Sequence, residues 1–419
     1  MSDKFNPFQP NSPVFTGMFV GRIKEIKRIE QILYQTKNSN PSHIIIFGER
    51  GIGKSSLILV TKYYAEQYKE NNFLVIRIVI DKNTTLLDLA NKILIGLKRE
   101  LHKSNKAKEF LDKTWDFMKN FRIQDISYTT PGGTFSPSDL IDKVIFSLAD
   151  TIQAITEPSV ATDLELTSQK DGIVLLIDEA DNACPSLEIG AFLKNLSETL
   201  VAEAANKLLI VLAGLPKLRD VLIKSHKSSL RLFEEIELTQ LSTEEIKEVI
   251  ARGLKEHNEK FPAEQINISD TALNLIVDYS EGYPHFIQQI GYSCFQINTD
   301  NIIDEKDVRD GMFLKDGALD KIGDRYYKDL YYNQINVDSY RRILKIMARK
   351  WTGWVSRDEI KKEFTGRSTA LDNGIRALRE RNIILSKEGT RGQYRLQWAS
   401  FAFWLKNYTE RNEGEESKS

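Results

Sequence analysis

One octapeptide limits what this chain can become. Gly48-Glu49-Arg50-Gly51-Ile52-Gly53-Lys54-Ser55 fits G-x-x-x-x-G-K-[ST], and it follows the apolar run His43–Phe47 and precedes a helical pattern that reaches Tyr64. Small residues let successive backbone N–H groups curl around a phosphate, and the helix behind adds the positive end of its dipole. In that frame Gly48, Glu49, Arg50, Gly51, Ile52 and Gly53 form the cradle, and Lys54, Ser55 and Ser56 open the helix. Lys54 is placed to reach the β and γ phosphates of a nucleotide, and the Ser55 hydroxyl to ligate Mg²⁺. An apolar strand on one side and a helix on the other exclude a chance glycine-rich turn.

A second segment completes the reading. Val174-Leu175-Leu176-Ile177-Asp178-Glu179 is a buried-strand pattern that ends in two carboxylates. Asp178 belongs in the Mg²⁺ shell beside Ser55, and Glu179, one residue on, is placed to polarise a water for attack on the γ phosphate. ATP and Mg²⁺ are therefore the expected ligands. Apolar runs at Phe73–Ile80, Ile173–Ile177 and Leu208–Ala213, with a fifth strand at Phe233–Leu238, join His43–Phe47, and they alternate with helical segments. Such alternation predicts an α/β fold, a parallel five-stranded sheet covered on both faces.

Residues 1–13 hold three prolines among polar residues and read as an extended lead-in, and a helical pattern follows over Ile23–Tyr34. The nucleotide domain is expected over 14–239. Its stretch 104–170 exceeds a simple crossover, so it reads as an insertion with a helix over Lys108–Phe121, a hairpin around Pro131-Gly132-Gly133, a helix over Leu140–Ile155 and then a polar loop. After Leu241 the strands stop. Helices starting at Ser242, near Ser269 and after Tyr283 predict an all-helical domain over 240–333. The close tyrosines Tyr326, Tyr327, Tyr331 and Tyr332 read as packing groups. Residues 338–405 then run helix, helix, helix, hairpin, the winged helix-turn-helix plan, with the hairpin around Gly389–Gly392. The tail, 406–419, is polar and acidic and reads as disordered.

The resemblance these motifs carry can now be named. The chain resembles AAA+/STAND P-loop ATPases of the ASCE class, with an Orc1-like, AAA_16-type ATPase domain and a C-terminal winged helix. Three further segments support it: Phe19-Val20-Gly21-Arg22, which is similar to the motif whose backbone lies against adenine; Gly282-Tyr283-Pro284-His285, similar to the motif that opens a lid helix over the nucleotide; and Leu230-Arg231-Leu232-Phe233 before the fifth strand. The resemblance implies that Phe19, Val20, Gly21, Arg22, Pro284 and His285 join the nucleotide site, and position makes Arg231 the arginine-finger candidate. Two departures stand out. The strand Val211-Leu212-Ala213-Gly214 lacks the Asn, Thr or Ser that orients the attacking water in such enzymes, and no arginine follows Pro284 in the lid helix. Both point to slow ATP hydrolysis by a switch rather than a fast motor.

Charge supplies the last signal. The chain as a whole has a formal net charge of −1, which excludes a general polycation. Residues 338–405 nevertheless carry fifteen Lys and Arg against seven Asp and Glu. Arg367, Arg376 and Arg379 fall on or beside the third helix of that segment, and Lys387 and Arg391 on the wing, the two elements that dock on duplex DNA. Arg381 and Arg395 lie on the same elements. Two outputs stay open: action on DNA, or a signalling ATPase that forms homo-oligomers or engages a separately encoded effector protein without touching DNA. Only two cysteines occur, Cys184 and Cys294, and no apolar run approaches the ~18 residues of a membrane span, so no membrane partner is expected and the predicted location is cytoplasmic.

Overall fold

A sheet of five parallel strands organises the first half of the chain, in the spatial order β2 (Leu74–Val79), β5 (Ile173–Asp178), β6 (Leu208–Gly214), β1 (His43–Phe47) and β7 (Phe233–Glu237). The computed structural model describes residues 4–14, 18–120, 128–130, 133–135, 137–350, 353–381, 383–387 and 389–416. They fall into two units, Gly21–Thr239 in one, and Met1–Val20 with Gln240–Ser419 in the other.

In the unit of Gly21–Thr239, α1 (Ile23–Lys37) leads to β1 (His43–Phe47), α2 (Lys54–Glu66), β2 (Leu74–Val79), α3 (Leu86–Glu100) and α4 (Asn105–Thr114). A short antiparallel pair, β3 (Tyr128–Thr130) and β4 (Gly133–Phe135), precedes α5 (Pro137–Thr156) and α6 (Pro158–Asp163). Then come β5 (Ile173–Asp178), α7 (Ile189–Ala202), β6 (Leu208–Gly214), α8 (Leu218–Ser225) and β7 (Phe233–Glu237). Every residue of β1, β5 and β6 is buried, which is why these strands read as unbroken apolar runs: a parallel sheet with helices on both faces leaves no wet side. Because β6 lies between β1 and β5, all three strands deliver their C-terminal ends to the same edge of the sheet.

The segment 104–170 packs into the core of this unit. Trp115, Leu140, Val144, Leu148 and Ile152 belong to the same buried cluster as Ile45, Ile76 and Leu175 of the sheet, so this stretch finishes the core. The polar loop expected after α5 contains the short helix α6, started by Pro158 at its first position, where the missing N–H costs nothing. Pro131 and Gly132 of the expected hairpin lie outside the described residues.

Gly172, where β5 begins, has φ +149°, and its carbonyl accepts the Leu74 N–H at 2.9 Å. A Cβ there would stand 2.3 Å from the Lys207 carbonyl oxygen. Gly172→Ala is expected to destabilise the protein by about 1–3 kcal/mol, read as a lower midpoint in chemical denaturation.

The second unit carries α9 (Thr243–Lys260), β8 (Asn267–Ile268), α10 (Asp270–Ser280), α11 (Pro284–Ile297), β9 (Ile302–Ile303), α12 (Glu305–Phe313) and α13 (Ala318–Tyr326). Helix α9 starts with the capping box of Ser242 and Glu245, worth about 1 kcal/mol. The all-helical expectation needs a correction: β8 and β9 form a two-residue parallel bridge, a long-range pairing that no local pattern encodes. The N-terminal segment is anchored too. Phe8 is buried against Phe295, close over Gly253 and Gly291, where any side chain would collide with its ring.

The same unit continues with α14 (Asp338–Ala348), β10 (Val355–Ser356), α15 (Arg357–Glu363), α16 (Ser368–Glu380), β11 (Ile384–Ser386), β12 (Gln393–Leu396) and α17 (Ala399–Glu416). The hairpin is part of a three-stranded antiparallel sheet, β10-β12-β11. The expected disordered tail also needs correcting, because α17 runs on to Glu416. Phe401, Trp404 and Leu405 bury its first half, and Glu281 fixes its start by accepting the Ala399 N–H at 2.9 Å and the Ser400 N–H at 2.8 Å. Tyr327 and Tyr331 of the tyrosine cluster are buried against Trp404, as packing groups.

Candidate functional site

The loop between β1 and α2 is shaped by two glycines. Gly51 (φ +78°) and Gly53 (φ +101°) take left-handed conformations that turn the chain into the helix. Gly48 is needed for space, since a Cβ there would lie 2.6 Å from Ile52 Cγ2. Arg50 is exposed, Glu49 and Ser55 are half-buried, and Ile52 and Ser56 are buried beneath the loop. The Lys54 ammonium folds back on the loop and donates to the carbonyls of Gly48 (2.7 Å) and Glu49 (2.8 Å). Burial pushes its pKa below the usual lysine value, opposed first by Asp181 and then by Asp178, while Arg50 adds to the lowering.

Asp178 ends β5, is 3% exposed, and accepts the Glu179 N–H at 3.0 Å. Its Oδ2 also pairs with Arg77 Nη2 at 3.1 Å. Arg77, on the neighbouring strand β2, went unrecognised in the sequence; the pairing follows from β2 and β5 lying side by side. Glu179 is exposed, in a left-handed conformation (φ +54°), with Asn182 Nδ2 at 3.3 Å from Oε2. A non-glycine residue held there is strained, a feature concentrated at functional sites. Asp181, in the turn just beyond, is a further buried carboxylate that the sequence reading passed over.

The remaining expected residues are divided between the two units. Gly21 and Arg22 fall in the sheet-bearing unit: Arg22 is buried, and its guanidinium reaches the carbonyls of Ile52 (3.4 Å) and Thr239. It braces the phosphate loop from beneath. Phe19 and Val20 fall in the other unit, where Arg252 donates to the Phe19 carbonyl at 3.2 Å and Val20 is buried. Arg231 is exposed on the single 3-10 turn Ser229–Leu232 before β7.

Pro284 opens α11 in the second unit. His285 sits against Arg325, whose Nη1 lies 2.9 Å from its Nε2. Burial, helped by that guanidinium and opposed by the Pro10 carbonyl, drives the imidazole down to about 4, so it is neutral at physiological pH. Arg325 comes from α13 and also donates to the Pro10 carbonyl at 3.1 Å.

In the C-terminal part of that unit, α16 buries Leu371, Ile375 and Leu378 and leaves Arg376 and Arg379 exposed, with Arg367 exposed at its N-cap. Lys387 and Arg391 are exposed in the β11–β12 connection. Two basic groups nearby are engaged: Arg381 donates to the Gln334 carbonyl at 2.9 Å, and Arg395 stacks over Trp354 at 5.3 Å. Arg357 is held by Asp372 at 2.7 Å. Among the described residues no group of His, Cys, Asp and Glu has the arrangement of a separate metal centre, and no helix is long and apolar enough to cross a membrane.

Comparison with known proteins agrees with this geometry. The AAA ATPase domain family matches residues 18–221. An uncharacterised HTH-type transcriptional regulator of Methanocaldococcus jannaschii is 26% identical over 325 residues, 74% of this chain and 72% of the relative. Among solved structures, a Walker-type ATPase of Pyrococcus abyssi superposes with a TM-score of 0.59 at 16% identity, over 96% of this chain and 99% of the other. The Aeropyrum pernix ORC2 protein, in ADPNP–ADP complexes, gives 0.56 at 12% identity, over 98% and 99%. Residues 18–221, with the glycine-rich loop after β1 and the carboxylates Asp178 and Glu179 at the end of β5, match the AAA ATPase domain family, and the chain shares the fold of these two solved proteins.

Proposed function

We propose that this protein is a slow ATP-driven switch that acts on duplex DNA through a winged helix formed by α14–α16 and β10–β12. The observation that carries the DNA reading is the exposed basic set Arg367, Arg376, Arg379, Lys387 and Arg391, concentrated on one helix and one hairpin of a chain that is otherwise near neutral. The similarity to an HTH-type regulator supports it.

In the nucleotide site, the amides of Gly51, Gly53 and Lys54 would cradle the β phosphate, and Lys54 would leave the Gly48 and Glu49 carbonyls for the β and γ phosphates. The Ser55 hydroxyl and the Asp178 carboxylate are hard oxygen donors that fit Mg²⁺, with Arg77 as the counter-charge that Asp178 otherwise keeps. Bound Mg²⁺ would neutralise charge developing between the β and γ phosphates. Glu179, exposed at the end of β5, would take the proton of the attacking water. Arg22 would hold the loop in shape. The resemblance assigns Phe19, Val20, Gly21, Pro284 and His285 to recognition of the base and sugar. Arg231 would serve a neighbouring subunit as an arginine finger in a homo-oligomer. The apolar end of β6 at Ala213-Gly214 supports slow turnover. Two free cysteines suit a reducing, cytoplasmic setting.

Steady-state ATP hydrolysis with and without duplex DNA tests the reading. Stimulation by DNA is the expected result. A rate indifferent to DNA would favour the second reading, signalling through oligomers or a separately encoded effector, which the ion pairs that neutralise Arg349, Lys350 and Arg357 also support. Changing Arg376, Arg379 and Arg391 together to Ala should lower duplex affinity and reduce the slope of log K against log salt by about 3, one for each lost phosphate contact. An unchanged slope would remove these arginines from the interface.

A further inference from the structure

The apolar end of β6 is not without a polar group, because one arrives from the neighbouring strand. Asp181 lies in the one-turn helix Ala180–Asn182 that follows β5 and is 7% exposed. Its Oδ1 accepts the Leu215 N–H at 3.1 Å, the first residue beyond β6. A Cβ on Gly214 would lie 2.9 Å from that oxygen, so the glycine leaves the space the carboxylate occupies. Its Oδ2 makes no aligned hydrogen bond, but Lys217 Nζ stands 3.1 Å away as an ion pair.

We propose that Lys217, positioned by Asp181, is the residue of this chain that senses the γ phosphate and sets its preference for ATP over ADP. The inference rests on the nucleotide site proposed above. One buried carboxylate at the sheet's C-terminal edge is shared by two cations, Lys217 by contact and Lys54 by field, since Asp181 is the charge that acts most on Lys54. Lys54 belongs to the phosphate loop, and the carboxylate that acts on it also holds Lys217. The two partners differ in freedom. Asp181 is tied to the backbone of Leu215, whereas the Lys217 side chain is 56% exposed and held by a single ion pair on a flexible stem. A terminal phosphate arriving beside Lys54 would draw Lys217 from the carboxylate; a diphosphate offers no such partner. Lys217 also screens the phosphate from Asp181, so its removal exposes the anion to a buried negative charge.

The test is equilibrium binding of ADP and of a non-hydrolysable ATP analogue, both with Mg²⁺, to full-length wild-type protein, Lys217→Ala and Lys217→Arg, by titration calorimetry. Lys217→Ala should weaken the analogue on the order of 10-fold, the scale of one charge-assisted contact, and leave ADP nearly unchanged. Lys217→Arg should restore most of the discrimination. Equal weakening of both nucleotides, or unchanged discrimination, would overturn the proposal while leaving the nucleotide site intact. Wild-type protein that bound neither nucleotide would overturn the site itself. Thermal denaturation of each variant separates a binding effect from loss of fold: Lys217→Ala, which leaves the buried Asp181 carboxylate without its cation, should lower the midpoint, whereas Lys217→Arg should keep it near wild type.

Discussion

Lys54→Ala is expected to reduce ATP turnover by on the order of 10²-fold or more and to weaken nucleotide binding with it. The loop is built to place one ammonium. Gly51 and Gly53 turn the backbone with positive φ, and the lysine that follows rests on the carbonyls of Gly48 and Glu49 at 2.7 and 2.8 Å. Those contacts are replaceable: a phosphate oxygen carries more charge than a carbonyl and would take the ammonium in its place. Burial already lowers the Lys54 pKa, so the lysine is only partly hydrated and gains more from an anion than an exposed one would. Alanine removes the charge and leaves the glycine turn in place. The fold should therefore persist, with a thermal midpoint near wild type. Turnover at the wild-type rate in this variant would mean that the octapeptide does not hold a nucleotide.

Glu179→Gln is expected to lower turnover by about 10²–10⁴-fold while keeping ATP bound, the range attributed to a positioned general base. The substitution preserves shape and removes basicity. Glutamine can accept the contact that Asn182 makes at 3.3 Å, and its backbone would keep the left-handed conformation. Asp178 retains its own partners, Arg77 and the Glu179 N–H, so the ligand side of the site is untouched. Quenched-flow or filter-binding measurements should find ATP, not ADP, on the variant. Full turnover would remove Glu179 from catalysis, and loss of binding would assign it to the ground state instead.

The two variants probe the parts of the site that were legible in the sequence, and the reason is local. A phosphate loop is eight consecutive residues whose conformational needs are written in their glycines. A buried strand that ends in Asp178-Glu179 announces itself by an apolar run followed by charge. The three central strands, β1, β5 and β6, were readable for the same cause, since strands buried on both faces leave no polar alternation to confuse them. Capping signals at Ser242 and Ser269 placed two helix starts of the second unit.

Elsewhere the local pattern misled. Residues 399–416 combine a buried aromatic half with an acidic end, and the acidic end read as a tail; Glu281, more than a hundred residues earlier in the chain, caps the helix they form. The length of 104–170 marked it as more than a crossover, but no local pattern told that Trp115 and Leu148 join the core cluster of the sheet. Neither Arg77 nor Lys217 stands in a sequence motif that would mark it.

What the sequence by itself determined is the nucleotide chemistry, the α/β layer and the basic character of the C-terminal segment, since each is carried by neighbours along the chain. Only the tertiary structure decided that Arg77 faces Asp178 and that Asp181 stands at the end of β6 with Lys217. Those pairs are 101, 34 and 36 residues apart or belong to different strands, and nothing brings them together except the order β2-β5-β6. Strand order is settled by which faces bury the most apolar surface together, a property of the assembled sheet and not of any segment within it.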